Sequence, residues 1–392
     1  MRLNHTILQV IPRLEAGGAE RSTVEIASEI VRAGGRALVA THKGRMARDV
    51  IAAGGEVIFS PVHSKNPLTI WRNAARLTNI INEKEVDLIH ARSRAPAWSS
   101  LLAARRTGVK FVTTYHGAHR AQNAVKRFYN SSLVRSDRVI ANSNFTAEAI
   151  CQAYDLQNDK VQVIPRGVDL DLFQPAMVAE GRVAELLATW SLPGENNAIR
   201  ILLPARLTSW KGHEIAIKAI SILKSRTGSG KSPNLSVVFC GGVQNNNDYE
   251  VFLRAKLDER GVRDMVHIVG DCADMPAAYS WADIVISPSV RPEAFGRVAI
   301  EAGAMGKPII AAAHGGALET VVNGESGVLV KPGDAVELAD AIEQLQQMSV
   351  ETRMSMGDNA RARVGRLYSA QAMCDATLDV YRDLLGSGAG YN

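Results

Sequence analysis

"DIVISPSVRPEAFGRVAIEAGAMGKPIIAAA", residues 283–313, joins two short apolar runs through a loop and a stretch of helical spacing. The runs "DIVISPS" (283–289) and "PIIAAA" (308–313) have strand length and are bounded by Pro and Gly. Strand, loop, helix and strand in that order make a parallel βαβ unit. This reading puts Glu293 in the loop after the first strand and Glu301 about two turns into the helix.

The same rhythm extends on both sides. Upstream lie "IRILLPARL" (199–207), "LSVVFCGG" (235–242) and "MVHIVG" (265–270), and downstream lies "GVLVKP" (327–332). An earlier series runs through "TILQVI" (6–11), "ALVATH" (37–42), "EVIFSPV" (56–62), "VDLIHA" (86–91), "KFVTTYH" (110–116), "RVIANS" (138–143) and "VQVIP" (161–165). Residues 173–197 break the rhythm and carry Pro175, Pro193 and Gly194. The expected organisation is therefore two doubly wound α/β domains, 1–172 and 198–368, with a linker over 173–197. "AQAMCDATLDVYRDLL" (370–385) has helical spacing, and 369–392 is read as a closing helix that packs back on the first domain. Open α/β sheets bind ligands beyond the carboxyl ends of their strands, so two facing domains would form a deep cleft lined by loops of both.

A length of 392 residues suits two cores, and 46% hydrophobic with 22% charged residues is ordinary globular composition. The N-terminus lacks the apolar core and small-residue cleavage site of a secretory signal, and no apolar run is long enough to span a bilayer. A cytoplasmic protein is expected. Cys151, Cys240, Cys272 and Cys374 are far apart and show no metal spacing, so they are read as buried thiols. The net charge of +5 is uneven: residues 1–190 hold 25 Lys and Arg against 17 Asp and Glu, and the remainder holds 20 against 23. Arg92, Arg94, Arg105, Arg106, Lys110, Arg120, Lys126 and Arg127 crowd one stretch, which suggests an anionic acceptor or an anionic membrane surface; a solvated face is the equal alternative. Nucleic acid is disfavoured, because no binding motif or interleaved aromatics accompany the cations.

The strand-end loops carry the chemistry. Gly17 and Gly18 precede a helix opening near residues 19–21, where free amides and the helix dipole favour an anion, although taken alone the pair is better explained by a plain tight turn. Arg206 and Lys211 bracket the loop before a helix starting near Gly212. A guanidinium, an ammonium and free amides suit a diphosphate and can neutralise charge on a leaving group without a metal; two solvated surface cations are the bland alternative. Were residues 293–301 all helical, Glu293 and Glu301 would stand about 12 Å apart, beyond the roughly 5–9.5 Å of a glycosidase pair. They are not a catalytic dyad. Each instead suits hydroxyls on a different part of one extended ligand, or else the helix dipole. His116 ends a strand where its imidazole would face the expected cleft, a position that is more often structural. Asp169-Leu170-Asp171 is a nominal metal motif set aside as a chance pattern at a turn.

Taken together, "GGAER" (17–21), "TYHG" (114–117), "VIANS" (139–143), "VIPRGVDLDLF" (163–173), "ARLTSWKGH" (205–213), "PEAFGRVAIEAGAMGKPIIAA" (292–312) and "NGESGVLV" (323–330) resemble family 4 of the retaining glycosyltransferases, which have the two-domain GT-B fold. The resemblance implies that Arg206 and Lys211 hold the donor diphosphate and that Glu293 contacts the transferred hexose. The amides of Phe295, Gly296 and Arg297 would lie near sugar and phosphate, and Glu301 would take the ribose. It further implies His116 beside the reacting sugar, Gly17 and Gly18 over the donor phosphates, and base recognition around Gly241, Gly242 and residues 269–272, including Gly270. Arg166 departs from the family pattern, where Asn is common.

"IHARSRAPAW" (89–98) with "FVTTYHG" is similar to bacterial enzymes that build the lipopolysaccharide core. That narrower likeness implies mannosyl or glucosyl transfer from GDP-mannose or UDP-glucose to an anionic or lipid-linked saccharide, with Arg92, Arg94 and Arg120 meeting the acceptor and peripheral contact with the inner membrane. No cofactor and no metal are expected. The alternatives are a nucleotide-sugar epimerase or hydrolase, a transferase of exopolysaccharide or glycolipid synthesis, and a non-catalytic sugar-nucleotide-binding protein.

Overall fold

A computed structural model describes residues 2–15, 17–117, 123–156, 158–192, 198–228, 233–243 and 247–386. The chain divides into two compact units: residues 1–167 with 370–392, and residues 168–369.

The first unit holds β1 (Thr6–Val10), β2 (Arg36–Thr41), β3 (Glu56–Phe59), β4 (Leu88–Ala91), β5 (Lys110–Tyr115), β6 (Arg138–Ala141) and β7 (Val161–Val163). They form one parallel sheet in the order β3-β2-β1-β4-β5-β6-β7. β1, β4 and most of β2 are buried on both faces, which is why they read as continuous apolar runs. The order reverses direction between β1 and β4, leaving a crevice at the carboxyl ends of those two strands.

Helices cover the sheet. Gly18–Arg32 buries Val24, Ile26, Ala27 and Ile30 in a core shared with Ile7, Val39 and Leu88. Pro67–Lys84 begins where Asn66 accepts from the amides of Leu68 (2.9 Å) and Thr69 (3.3 Å), with Pro67 in its first turn. The C-terminal helix Ala370–Leu385 belongs to this unit, because Met373, Cys374, Leu378 and Tyr381 fill the same core as Ile30.

The second unit holds β8 (Ile199–Pro204), β9 (Leu235–Cys240), β10 (Val266–Gly270), β11 (Ile284–Ser287), β12 (Ile309–Ala312) and β13 (Gly327–Val330), in the order β10-β9-β8-β11-β12-β13. This is again a doubly wound sheet, with its reversal between β8 and β11.

The expected boundary at 172 and the linker over 173–197 differ from what the structure shows. Val168 donates its amide to the Tyr368 carbonyl (2.8 Å), and Phe173, Leu186 and Trp190 are buried in the core of the second unit. The helix Glu180–Trp190 docks through Trp190 against Trp281, with ring centroids 5.8 Å apart, and through Arg182 to both oxygens of Asp274 at 2.7 and 2.9 Å. A segment without strands can still contribute helices to a core, and this one does. Residues 193–197 lie outside the described residues.

Candidate active site

Two neighbouring strand ends in the second unit bring its site together. After β8 the chain makes a tight turn, Ser209–Lys211, and passes through Gly212 at φ 82° into the helix His213–Arg226. A Cβ at Gly212 would overlap the Pro288 carbonyl, so only glycine lets this loop lie against the one after β11. Val290 donates its amide to the Trp210 carbonyl at 2.8 Å and ties the two loops together.

That arrangement meets at an ion pair. Lys211 Nζ stands 2.7 Å from Glu293 Oε2, with side chains only 12% and 18% exposed, and 4.5 Å from the centroid of the Trp210 ring. The other carboxylate oxygen of Glu293 accepts from Ser289 Oγ at 2.5 Å. His314 Nε2 donates to the Ser289 carbonyl (2.8 Å), and the Gly316 amide donates to the Glu293 carbonyl (2.9 Å). Ser289, Glu293, Gly296, His314 and Ala317 line a small pocket here. Sequence reasoning missed Ser289 and His314, whose roles depend on a fold-back loop that no local spacing announces.

The helix beyond opens at Arg297, so Glu301 lies little more than one turn in, not two. Its oxygens pair with Arg297 Nη2 (2.7 Å) and accept from the buried Tyr279 hydroxyl (2.9 Å). Burial, together with the Glu301 charge, pushes that phenol well above its ordinary range. Phe295 is buried with its ring 5.7 Å from that of Tyr368, so only its backbone is available to a ligand. Gly296, at φ 79°, turns the chain into the helix. Arg206 is exposed and makes no hydrogen bond or ion pair among the described residues.

Around β9 and β10, the Gly242 amide is occupied by Asp271 Oδ1 (2.7 Å), and the Gly270 carbonyl accepts from the Gly241 amide (2.7 Å). The thiols of Cys240 and Cys272, distant in sequence, come within hydrogen-bonding reach; that bond, then burial, pushes the Cys240 thiol up. Asp169 Oδ1 accepts from the amides of Asp171 (3.1 Å) and Leu172 (3.0 Å), which gives this carboxylate of the nominal metal motif a turn-forming role. Lys307 donates to the Ser280 carbonyl at 3.0 Å, a structural task inside the Gly-Lys-Pro stretch.

In the first unit, Gly17 caps the Gly18–Arg32 helix, and the Arg21 amide donates to its carbonyl (2.9 Å). Across the β1/β4 crevice, Arg92 corrects the expectation of a surface cation. It is 2% exposed, and its Nη2 donates to Ser22 Oγ at 2.6 Å. Arg94 donates to Asn130 Oδ1 at 3.3 Å, and Arg120 lies outside the described residues.

His90 is fully buried between the Tyr381 hydroxyl (2.6 Å) and Thr114 Oγ1 (2.7 Å), and burial holds it well below the ordinary histidine range. His116 follows β5, with both ring nitrogens shielded from water. Burial first, then the charges of Arg166 and Arg92, keep its imidazole neutral near pH 7. Arg166 is half-buried, and its charge acts on His116.

Two doubly wound sheets with charged side chains in their strand-end loops define the architecture, and comparison with known proteins gives the class. Residues 16–172 match Glycosyltransferase Family 4, and residues 190–363 match Glycosyl transferases group 1. A glycosyltransferase from Rickettsia africae ESF-5 of known structure is 33% identical, superposes with a TM-score of 0.89, and aligns over 98% of this chain and 100% of that one. The D-inositol 3-phosphate glycosyltransferase of Salinispora tropica is 32% identical over 75% of this chain; the match spans 63% of that relative's length. Anabaena Alr3699/HepE, solved with UDP and glucose, shares the fold at 24% identity, with a TM-score of 0.81 over 96% of this chain and 99% of that one. The chain belongs to the family 4 glycosyltransferases of the GT-B fold.

Proposed function

We propose that the protein transfers a hexose, mannose or glucose, from a nucleotide diphosphate sugar to an anionic saccharide acceptor of the lipopolysaccharide-core type, with retention of anomeric configuration. The observation that carries this reading is the Lys211–Glu293 pair at the reversal of the second sheet, with Glu301 held one helix turn beyond. A diphosphate entering there would draw Lys211 toward itself and join the unpaired Arg206. Glu293 would then be released to accept from sugar hydroxyls, and Glu301 would accept from the ribose. HepE, whose structure holds UDP and glucose, supports a donor of this class.

On the first unit we assign His116 to the reacting sugar as a neutral hydrogen-bonding group, Gly17 and Gly18 to the donor phosphates, and Arg94 and Arg120 to the acceptor, with Arg92 holding the crevice from beneath. Rate acceleration would come from orientation and from neutralising the departing diphosphate with protein cations. The name of the Salinispora relative supports a second acceptor, a phosphorylated cyclitol. Among the described residues no helix is long and apolar enough to cross a membrane; peripheral contact with the inner leaflet is part of the proposal.

The test is a thermal-shift screen of the purified chain against GDP, UDP and ADP, followed by turnover of the matching sugar donors with phosphorylated acceptors in the presence of a chelator. Stabilisation by one nucleotide, and a product whose anomeric proton coupling matches the donor's, is the expected result. Conversion of the donor without acceptor would favour an epimerase, and turnover lost to the chelator and restored by magnesium would refute protein-cation neutralisation.

A further inference from the structure

The carboxyl ends of β1, β2 and β3 hold a cluster that the transferase reading leaves unused. His42, directly after β2, and His63, four residues after β3, lie with ring centroids 3.9 Å apart and planes tilted 33°. The charges acting on His63 are those of His42, Arg13 and Lys43, all of one sign, and they add to burial in lowering its basicity. His63 Nδ1 is shielded from water and has no hydrogen-bond partner. Ser60, 7% exposed and backbone-paired to Thr41 (2.8 Å), likewise leaves its hydroxyl unpartnered. Glu15 engages the neighbouring loop through its backbone carbonyl, to Arg45 Nε at 3.1 Å, and its carboxylate makes no ion pair among the described residues.

The loops that carry these groups are fixed by their backbones. His42 donates its amide to the Pro12 carbonyl (3.2 Å), Leu14 to Lys43 (2.8 Å) and Met46 to Leu14 (2.9 Å). A proton on His63 is opposed by the Arg13 and Lys43 charges, and a proton on each ring adds repulsion between them, while buried polar groups without partners cost stability. A dianion removes both penalties, since it accepts from the rings and the hydroxyl and balances Arg13 and Lys43.

We propose that His42, His63, Arg13, Lys43 and Ser60 form a binding subsite for a phosphate dianion on the first unit. The position beyond the carboxyl ends of a parallel sheet is where such ligands bind. Two sources carry this chemistry: a sugar phosphate serving as acceptor, an assignment that rests on the proposed transferase reading, and the diphosphate of a nucleotide. The anion site itself does not depend on that reading.

The experiment is an NMR titration of the imidazole signals of the full chain, assigned with His42→Gln and His63→Gln, in sodium sulfate and in sodium chloride of matched ionic strength. Sulfate keeps its double charge across the pH range, so any change belongs to the protein. The expected result is a rise of about one unit or more in the titration midpoints of both rings in sulfate alone, lost in the Arg13→Ala, Lys43→Ala double variant. Both substituted side chains are exposed, so that variant keeps its fold. Equal midpoints in sulfate and chloride would overturn the proposal.

Competition arms then separate the sources: glucose 6-phosphate displacing sulfate identifies a sugar phosphate, and UDP displacing it identifies the nucleotide. Sulfate binding that neither displaces would overturn the phosphate assignment. A chain that turns over no donor yet still shows the sulfate shift would sink the transferase reading and leave this one standing.

Discussion

At the reversal of the second sheet, cations stand against carboxylates: Lys211 against Glu293 and Arg297 against Glu301. At the strand ends of the first unit, Arg92 donates to the neutral Ser22 hydroxyl, and Arg13 and Lys43 stand around the His42–His63 pair. A compensated site holds its geometry without ligand and must be opened by one, whereas an uncompensated site is completed by an anion. Under the proposed reading, the contrast would suit a donor that brings both a diphosphate and neutral hydroxyls, and an acceptor recognised mainly through charge.

The contrast is most exposed to failure at Glu293. Glu293→Ala removes the acceptor of the Ser289 hydroxyl and leaves a largely buried ammonium unpaired, so turnover should fall about 100-fold or more with a modest loss of stability. Steady-state kinetics on the purified variant would show it, and near-normal turnover would break the comparison. Lys211→Ala should weaken nucleoside diphosphate binding about 10-fold in calorimetry; unchanged affinity would mean that the compensated pair is only structural.

The first unit makes the next two tests. Tyr381→Phe leaves His90 Nδ1 without its partner in the interior and should cost about 1–3 kcal/mol in chemical denaturation. His90 and His116 are bases whose folded basicity is depressed, so the unfolded chain takes up protons first. Their burial is free of this penalty above the ordinary histidine range, and stability should drain away as pH falls below about 6.5. His90→Gln should flatten that slope, and an unchanged slope would show that other groups set it.

The smallest effect returns to the second unit. Burial alone would raise Asp283, but Arg200 at 2.8 Å holds it below the ordinary carboxylate range. The pair therefore stabilises above about pH 4 and loses its effect as pH falls below that. Both partners are partly exposed, so Asp283→Asn should cost only about 0.5–1 kcal/mol at pH 7 and nothing near pH 2.

Much of the architecture was legible because strands buried on both faces must be apolar throughout. "TILQVI" and "DIVISPS" announce β1 and β11 for that reason. The segment 173–197 misled because the absence of strands was read as the absence of core, while Leu186 and Trp190 were packing as a helix. Arg92 misled because charge was read as exposure, whereas it is buried with Nη2 on Ser22 Oγ and with the Glu25 charge acting on it. Cys240 with Cys272, and His42 with His63, could not be paired from spacing, since each pair sits on different strand ends brought adjacent only by sheet order.

By itself the sequence determined the number of sheets, the loops that follow their strands, and the carboxylates and cations that stand in those loops. Periodicity and residue chemistry are local properties that survive without coordinates. Only the tertiary structure decided which charge faces which, where Lys211 finds Glu293 and His63 meets the charges of His42, Arg13 and Lys43. Electrostatic partnership depends on distance and desolvation, and both are set by how strands are ordered in a sheet rather than by how they are ordered along the chain.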